Sequence, residues 1–160
     1  MIRISKLADY SVVIMGWLAQ QERPATIEKI SDTTQIPLAT VRKLTRFLVQ
    51  AELCRARKGP HGGYRIAHPA EQVSLLAVIE AVEGEMAVTE CAHHGACECS
   101  LLSHCDVKLG WHVINRIIRN LLSGVSVADV MHENISEPAV MERLVQFTSD
   151  AGQPVGLGHF

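Results

Sequence analysis

The stretch LCRARKGPHGGYRIAHP, residues 53–69, leaves the chain few choices. Gly59-Pro60 and Gly62-Gly63 separate two basic, strand-like segments, Leu53 to Lys58 and Tyr64 to Ala67, and such glycine and proline pairs mark a tight turn. The spacing therefore predicts a basic β-hairpin, flanked on both sides by helical patterns. From Ser5 to Gln21, Leu7, Val13, Ile14, Trp17 and Leu18 recur at helical spacing until Glu22-Arg23-Pro24 breaks the run. Thr26 can cap a short second helix, IEKISDTT, with Glu28 placed to suit the helix dipole, and Ile36-Pro37 ends the connection. A third helix is predicted from Leu38 to Ala51, with Val41, Leu44, Leu48 and Ala51 on the core face and Thr40, Arg42, Lys43 and Arg46 on the other. After the hairpin, Ser74 caps LLAVIEAVEGE, whose Leu75, Val78, Ile79 and Val82 close the core.

Two short helices joined by a tight turn, the second with a basic outer face, form the pattern of a helix-turn-helix whose second helix enters the major groove of DNA. A basic hairpin directly behind it is a wing, whose Arg57, Lys58 and Arg65 can reach phosphates or a minor groove. Basic helix faces are often only solvated, so the pattern needs independent support. The charge distribution supplies it. Net charge is −2, but residues 1–70 carry eleven Lys and Arg against five acids, a balance of +6, and residues 71–160 carry four against twelve, a balance of −8. A polyanion is attracted to the first half and repelled by the second.

Four of the five cysteines, Cys91, Cys97, Cys99 and Cys105, fall within fifteen residues, interspersed with His93, His94 and His104. No membrane-length apolar run or signal peptide is present, so the chain reads as cytoplasmic, where crowded cysteines point to a metal and not to disulfides. Cysteine and histidine suit zinc as well as iron, but the tight C-x2–4-C knuckle of zinc sites is missing. Cys54 reads as a small buried hydrophobe. Beyond the cysteines, Val107, Trp111, Ile114, Ile118 and Leu121 alternate steps of four and three along a long helix ending near Gly124. That stripe is long for so thin an acidic half, which favours a homodimer placing two recognition helices on a palindrome of double-stranded DNA. Ser126 to Asp129 reads as a capping box opening the short helix VADVMHEN. There are no paired catalytic carboxylates, no phosphate-cradling loop and no supported nucleophile–base pair, so no enzyme is expected.

The segments ISKLADYSVVIM, ISDTTQIPLATVRKLTRFLVQAEL and RKGPHGGYRIAHPAEQVSLLAVIEAVEG, followed at once by the cysteines, resemble the Rrf-two family of winged-helix regulators over about residues 1–131. The likeness is to its IscR-type and SUF-operon iron–sulfur assembly repressors and its nitric-oxide sensors. The resemblance implies a homodimer with crossed long helices, each protomer holding an iron–sulfur cluster, 2Fe-2S favoured and 4Fe-4S possible, in the loop before the long helix. Cys91, Cys97 and Cys105 match the family's three cysteine ligands, and Lys58 matches an Arg that approaches the minor groove. Three departures stand out. Cys97 and Cys105 are separated by seven residues instead of five; Lys108 stands where a ligating His occurs; and Arg42 replaces an operator-discriminating Glu. Cys99 is thus a candidate fourth ligand, with His104 and Asp9 of the partner subunit as the others. The expectation is a mostly α chain with a small β-wing: a winged helix-turn-helix domain over 1–84, a cluster loop and dimerisation helix over 85–131, and a C-terminal extension over 132–160 ending in disorder. Its expected role is a cluster-sensing repressor of iron–sulfur assembly genes; a nitric-oxide or redox-responsive repressor on the same cluster, or a zinc-stabilised regulator, are the alternatives.

Overall fold

Helix caps written into the sequence set the frame of the N-terminal half. In the computed structural model, which describes residues 3–92, 99, 104–131 and 136–150, the Ser5 hydroxyl accepts from the Ala8 amide at 3.1 Å and opens α1, Lys6–Ala19. Thr26 accepts from the Lys29 amide at 3.3 Å and opens α2, Ile27–Thr34. Gln35 ends α2 in the left-handed region, with φ of 58°, and the chain turns through Pro37 into α3, Leu38–Gln50. Ile14, Met15, Leu18, Ile30, Val41, Leu44 and Leu48 converge in a core without solvent exposure. Burying each such side chain is worth about 1.5–3 kcal/mol, so this cluster is what holds α3 against α1 and α2. The α3 stripe stops at Leu48. Ala51, expected on the core face, is exposed because it caps the helix, its amide donating to the Phe47 carbonyl at 2.9 Å.

The hairpin forms from β1, Cys54–Arg57, and β2, Gly63–Ile66, antiparallel, with Cys54 opposite Ile66 and Arg57 opposite Gly63. Its turn needs its glycines: a Cβ on Gly62 would stand 2.2 Å from the Arg57 carbonyl oxygen. Gly63, at φ of +141°, admits a third rung, because Ala25 and Tyr64 exchange amide–carbonyl bonds of 2.8 and 2.9 Å beside it. The wing is thereby fastened to the segment that enters α2.

Ser74 caps α4, Leu75–Glu83, which the left-handed Gly84 stops two residues before the expected end. Leu76, Val78 and Ile79 are its buried residues; Leu75 and Val82, expected in the core, are half-buried at its edge. Further along lie α5, Lys108–Gly124, α6, Val127–Met131, and α7, Glu137–Asp150. The capping box before α6 is present: Asp129 Oδ2 accepts from the Ser126 amide at 2.9 Å and hydroxyl at 2.8 Å, while the Asp129 amide donates to Ser126 Oγ at 3.1 Å. Two further bonds, Leu75 N–H to the Val125 carbonyl and Val127 N–H to the Val73 carbonyl, both 2.8 Å, bring the end of α5 back to the start of α4. From there α6 packs on α1, where a Cβ on Gly16 would overlap the Met131 thioether. α7, against α5, was not expected from the sequence. The expected disordered end, from residue 151, and residues 132–134 of the expected VADVMHEN helix lie outside the described residues. No helix among the described residues is long and apolar enough to cross a membrane.

Candidate nucleic-acid interface and cysteine segment

The amphipathic register that buries Val41, Leu44 and Leu48 turns the other face of α3 outward. Arg42, Lys43 and Arg46 are exposed there, and Thr40 is half-buried at the first turn. With Ala39, Phe47 and Gln50 the three basic residues line an open groove of about 560 Å³. Lys43 Nζ lies 5.7 Å from the centre of the Phe47 ring, a cation–π contact that steers the ammonium along the groove. At the start of α2, the Glu28 carboxyl is held below the usual carboxylate range, by its own backbone hydrogen bond first, then by the Thr26 hydroxyl and the charge of Arg42. The α2 terminus therefore keeps one carboxylate close to the basic face of α3.

On the wing, Arg57, Lys58 and Arg65 are exposed as expected. The register adds a residue that the sequence reading passed over: Arg55 is exposed and stands directly opposite Arg65. Like charges across a strand pair repel, so the pair costs stability in the free protein and suits an anion placed between them. Alternation in CRAR could have signalled Arg55, but which residue it faces depends on the hairpin register.

The described cysteines divide into two kinds. Cys54, on β1, is buried with its Sγ 3.3 Å from Met15 Sδ, and burial pushes its thiol from 9.0 up to about 12. Cys91, Cys99 and Cys105 are half-buried thiols outside any disulfide. Cys91 sits in a single 3-10 turn, Glu90–Ala92, with Sγ 3.2 Å from Thr89 Oγ1. Cys105 lies three residues before the start of α5, its carbonyl accepting from the Lys108 amide at 3.4 Å. His104 beside it is exposed, as is Asp9 in the first turn of α1. Cys97, His93 and His94 lie outside the described residues. Among the described residues, no group of three or more His, Cys, Asp or Glu is gathered closely enough to hold a metal ion. In kind, free soft thiols on a segment leading into one helix fit an iron–sulfur cluster or zinc.

The turn that carries Cys91 is held from outside. Asn115, on α5 and 5% exposed, accepts from the Val88 amide at 3.1 Å and donates to the Ala92 carbonyl at 3.2 Å. One turn on, Arg119 pairs with Glu80 of α4 and donates to the Met86 carbonyl at 3.0 Å, while Glu80 accepts from the Met86 amide at 2.9 Å. Neither residue was singled out in the sequence.

A family model described as "Iron-dependent Transcriptional regulator" matches residues 4–133. The chain belongs to the Rrf2 family. It is a DNA-binding transcriptional regulator and not an enzyme. It is similar to the HTH-type transcriptional regulator IscR of Photobacterium profundum, 27% identical over 160 residues, which span 99% of this chain and 91% of that one. It is also similar to the HTH-type transcriptional regulator NsrR of Oceanobacillus iheyensis, 29% identical over 119 residues, 73% of this chain and 79% of that one. In fold, this Rrf2 regulator resembles CymR, the global cysteine regulator of B. subtilis, with a TM-score of 0.63 over 82% of this chain and 97% of that one, at 22% identity.

The expected dimer stripe is divided by the structure. Trp111, Ile118 and Leu121 are half-buried and flank Asn115, whereas Val107 is 61% exposed and Ile114 42%. Leu109, Val113 and Ile117, at steps of four, are likewise exposed, so the outer face of α5 is more apolar than the stripe alone indicates.

Proposed function

We propose that this Rrf2 regulator is an iron–sulfur cluster-sensing repressor, a homodimer paired through α5 that binds a palindromic operator and governs iron–sulfur assembly genes. The observation that carries the reading is the position of the free thiols. Cys91 and Cys105 bracket the approach to α5, Cys99 lies between them, and the same helix is bonded to α4, which follows directly from the wing. Residues 1–84 present the DNA face: Thr40, Arg42, Lys43 and Arg46 to the major groove, and Arg55, Arg57, Lys58 and Arg65 to phosphates or the minor groove. Residues 85–131 carry the ligands Cys91, Cys97 and Cys105, with Cys99 as the fourth and His104 or Asp9 of the partner subunit as its rivals.

The exposed apolar face of α5 supports the homodimer, since Val107, Leu109, Val113, Ile114 and Ile117 leave more unburied apolar surface than scattered single residues would. Within the dimer, thiolates tied together add a second restraint on the segment that Asn115 and Arg119 join to α5 and α4; thiols left untied leave those two residues as its hold. When bound, an iron–sulfur cluster supplies a redox-sensitive cross-link among those thiolates. A difference of about 1–3 kcal/mol between the tied and untied dimers in DNA affinity would change operator binding about 5–150-fold.

Absorption and electron paramagnetic resonance spectra of anaerobically purified protein, repeated on Cys99→Ala and Asp9→Ala, test the reading. Coloured protein with a cluster signal that changes in one variant alone identifies the fourth ligand. A colourless, zinc-loaded protein overturns the iron–sulfur assignment, and equal operator affinity of cluster-loaded and cluster-free protein overturns the sensing.

A further inference from the structure

We propose that Asn115 and Arg119 are positioning residues: they hold the 86–92 segment against α5, so that α5 and α4, and not the cysteine segment itself, set where Cys91 stands. The inference rests on the cluster-binding reading above.

An Asn on the inward face of an amphipathic helix costs stability unless both ends of its amide are partnered, because no water reaches them. Asn115 meets that demand outside its own helix, with Oδ1 on the Val88 amide and Nδ2 on the Ala92 carbonyl. The two bonds grip the chain three residues before Cys91 and one residue after it. Sliding the segment by one residue along α5 would leave a buried donor and a buried acceptor unpaired, at about 1–3 kcal/mol each, so the pair fixes one register. An apolar residue in the same place would bury as much surface but would permit sliding.

Arg119 repeats the arrangement a turn later and adds α4. Its guanidinium bonds both the Glu80 carboxylate and the Met86 carbonyl, while that carboxylate takes the Met86 amide. Backbone of the cysteine segment, α4 and α5 therefore meet at one charge-assisted network. A movement of Cys91 must either break these bonds or carry α4, and with it the base of the wing.

The test uses the full chain as wild type, Asn115→Leu and Arg119→Lys. The second variant is mild, keeping the charge that faces Glu80, and remains informative if the first fails to fold. Three quantities are read: amide hydrogen exchange at Val88 in cluster-free protein, the rate of cluster loss to a chelator followed by absorbance, and duplex DNA affinity without cluster. In Asn115→Leu the Val88 amide should exchange about tenfold faster, as expected when a bond of about 1.4 kcal/mol is lost. Both variants should lose cluster about fivefold faster or more, while cluster-free DNA affinity stays within about twofold of wild type. Faster Val88 exchange with an unchanged rate of cluster loss overturns the proposal, as does a wild-type Val88 amide without protection. A general loss of DNA affinity in Arg119→Lys would mean a merely structural role and overturns it too. If wild type takes up no cluster, the functional reading fails, and the exchange measurement alone decides whether Asn115 holds the segment.

Discussion

The facing arginines of the wing should pull stability and DNA affinity in opposite directions. Arg55 lies directly across from Arg65 with both side chains exposed, and a like-charge pair in that position costs about 0.2–1 kcal/mol. Arg55→Gln removes the charge and keeps most of the stem that covers the strand. The variant should therefore be more stable than wild type at low salt, with a Tm higher by up to about 4 °C, and the gain should shrink as salt screens the pair. DNA binding should change the other way. Each phosphate contact contributes about 0.9 to the slope of log affinity against log salt, so a dimer that loses one contact per protomer loses about 1.8. Between 50 and 200 mM salt the wild-type affinity should thus fall about twelvefold further than that of the variant. Because counterion release ignores sequence, a labelled duplex of arbitrary sequence suffices, titrated by fluorescence anisotropy at several salt concentrations, with thermal unfolding measured in parallel. Weaker binding with an unchanged salt slope would refute the assignment of Arg55 to phosphate, and a drop in stability at low salt would refute the repulsion from which it was drawn.

Gln35→Gly should raise stability by about 1 kcal/mol in denaturant unfolding, because Gln35 holds a left-handed φ of 58° that glycine adopts without a Cβ clash. In native protein Cys54 should resist alkylation that modifies accessible thiols in the same chain; burial raises its pKa from 9.0 to about 12, so the stability tied to its protonated form is complete below pH 9.0 and is lost as pH climbs from 9.0 toward about 12. Native mass spectrometry of alkylated protein reads the first, and alkaline unfolding curves of wild type against Cys54→Ala read the second. Ile117→Glu, at a position 60% exposed on α5, should turn the proposed dimer into a monomer in sedimentation without lowering helix content; an unchanged sedimentation coefficient would refute pairing through this face of α5.

Local signals in this chain were legible because they act over three or four residues. The Thr26 and Ser74 caps, the Ser126–Asp129 box and the buried face of α3 all follow from side chains reaching their own neighbours. Features that depend on partners far along the chain were not legible. The Ala25–Tyr64 rung and the Arg55–Arg65 pairing depend on hairpin register, which no short window contains. Asn115 was hidden by the stripe itself: steps of four and three from Val107 pass over position 115, although the inward face runs Trp111, Asn115, Ile118. α7 had a signal that went unread, with Pro138 in its first turn and Val140, Leu144 and Phe147 at helical spacing. Of the cysteines, the sequence identified which are crowded and that Cys54 is a small buried hydrophobe, which the structure bears out; the structure adds that the turn of Cys91 is anchored by α5.

The paired bonds between Val73–Leu75 and Val125–Val127 make everything from α4 through α5 a closed excursion with a stitched neck. Closure entropy grows only with the logarithm of the length enclosed, so inserting two residues inside such an excursion costs less than about 0.1 kcal/mol. The seven-residue gap between Cys97 and Cys105 is therefore no burden on the fold. Cysteine spacing in a chain of this build is free to drift under selection for chemistry alone, while the residues at the neck are not.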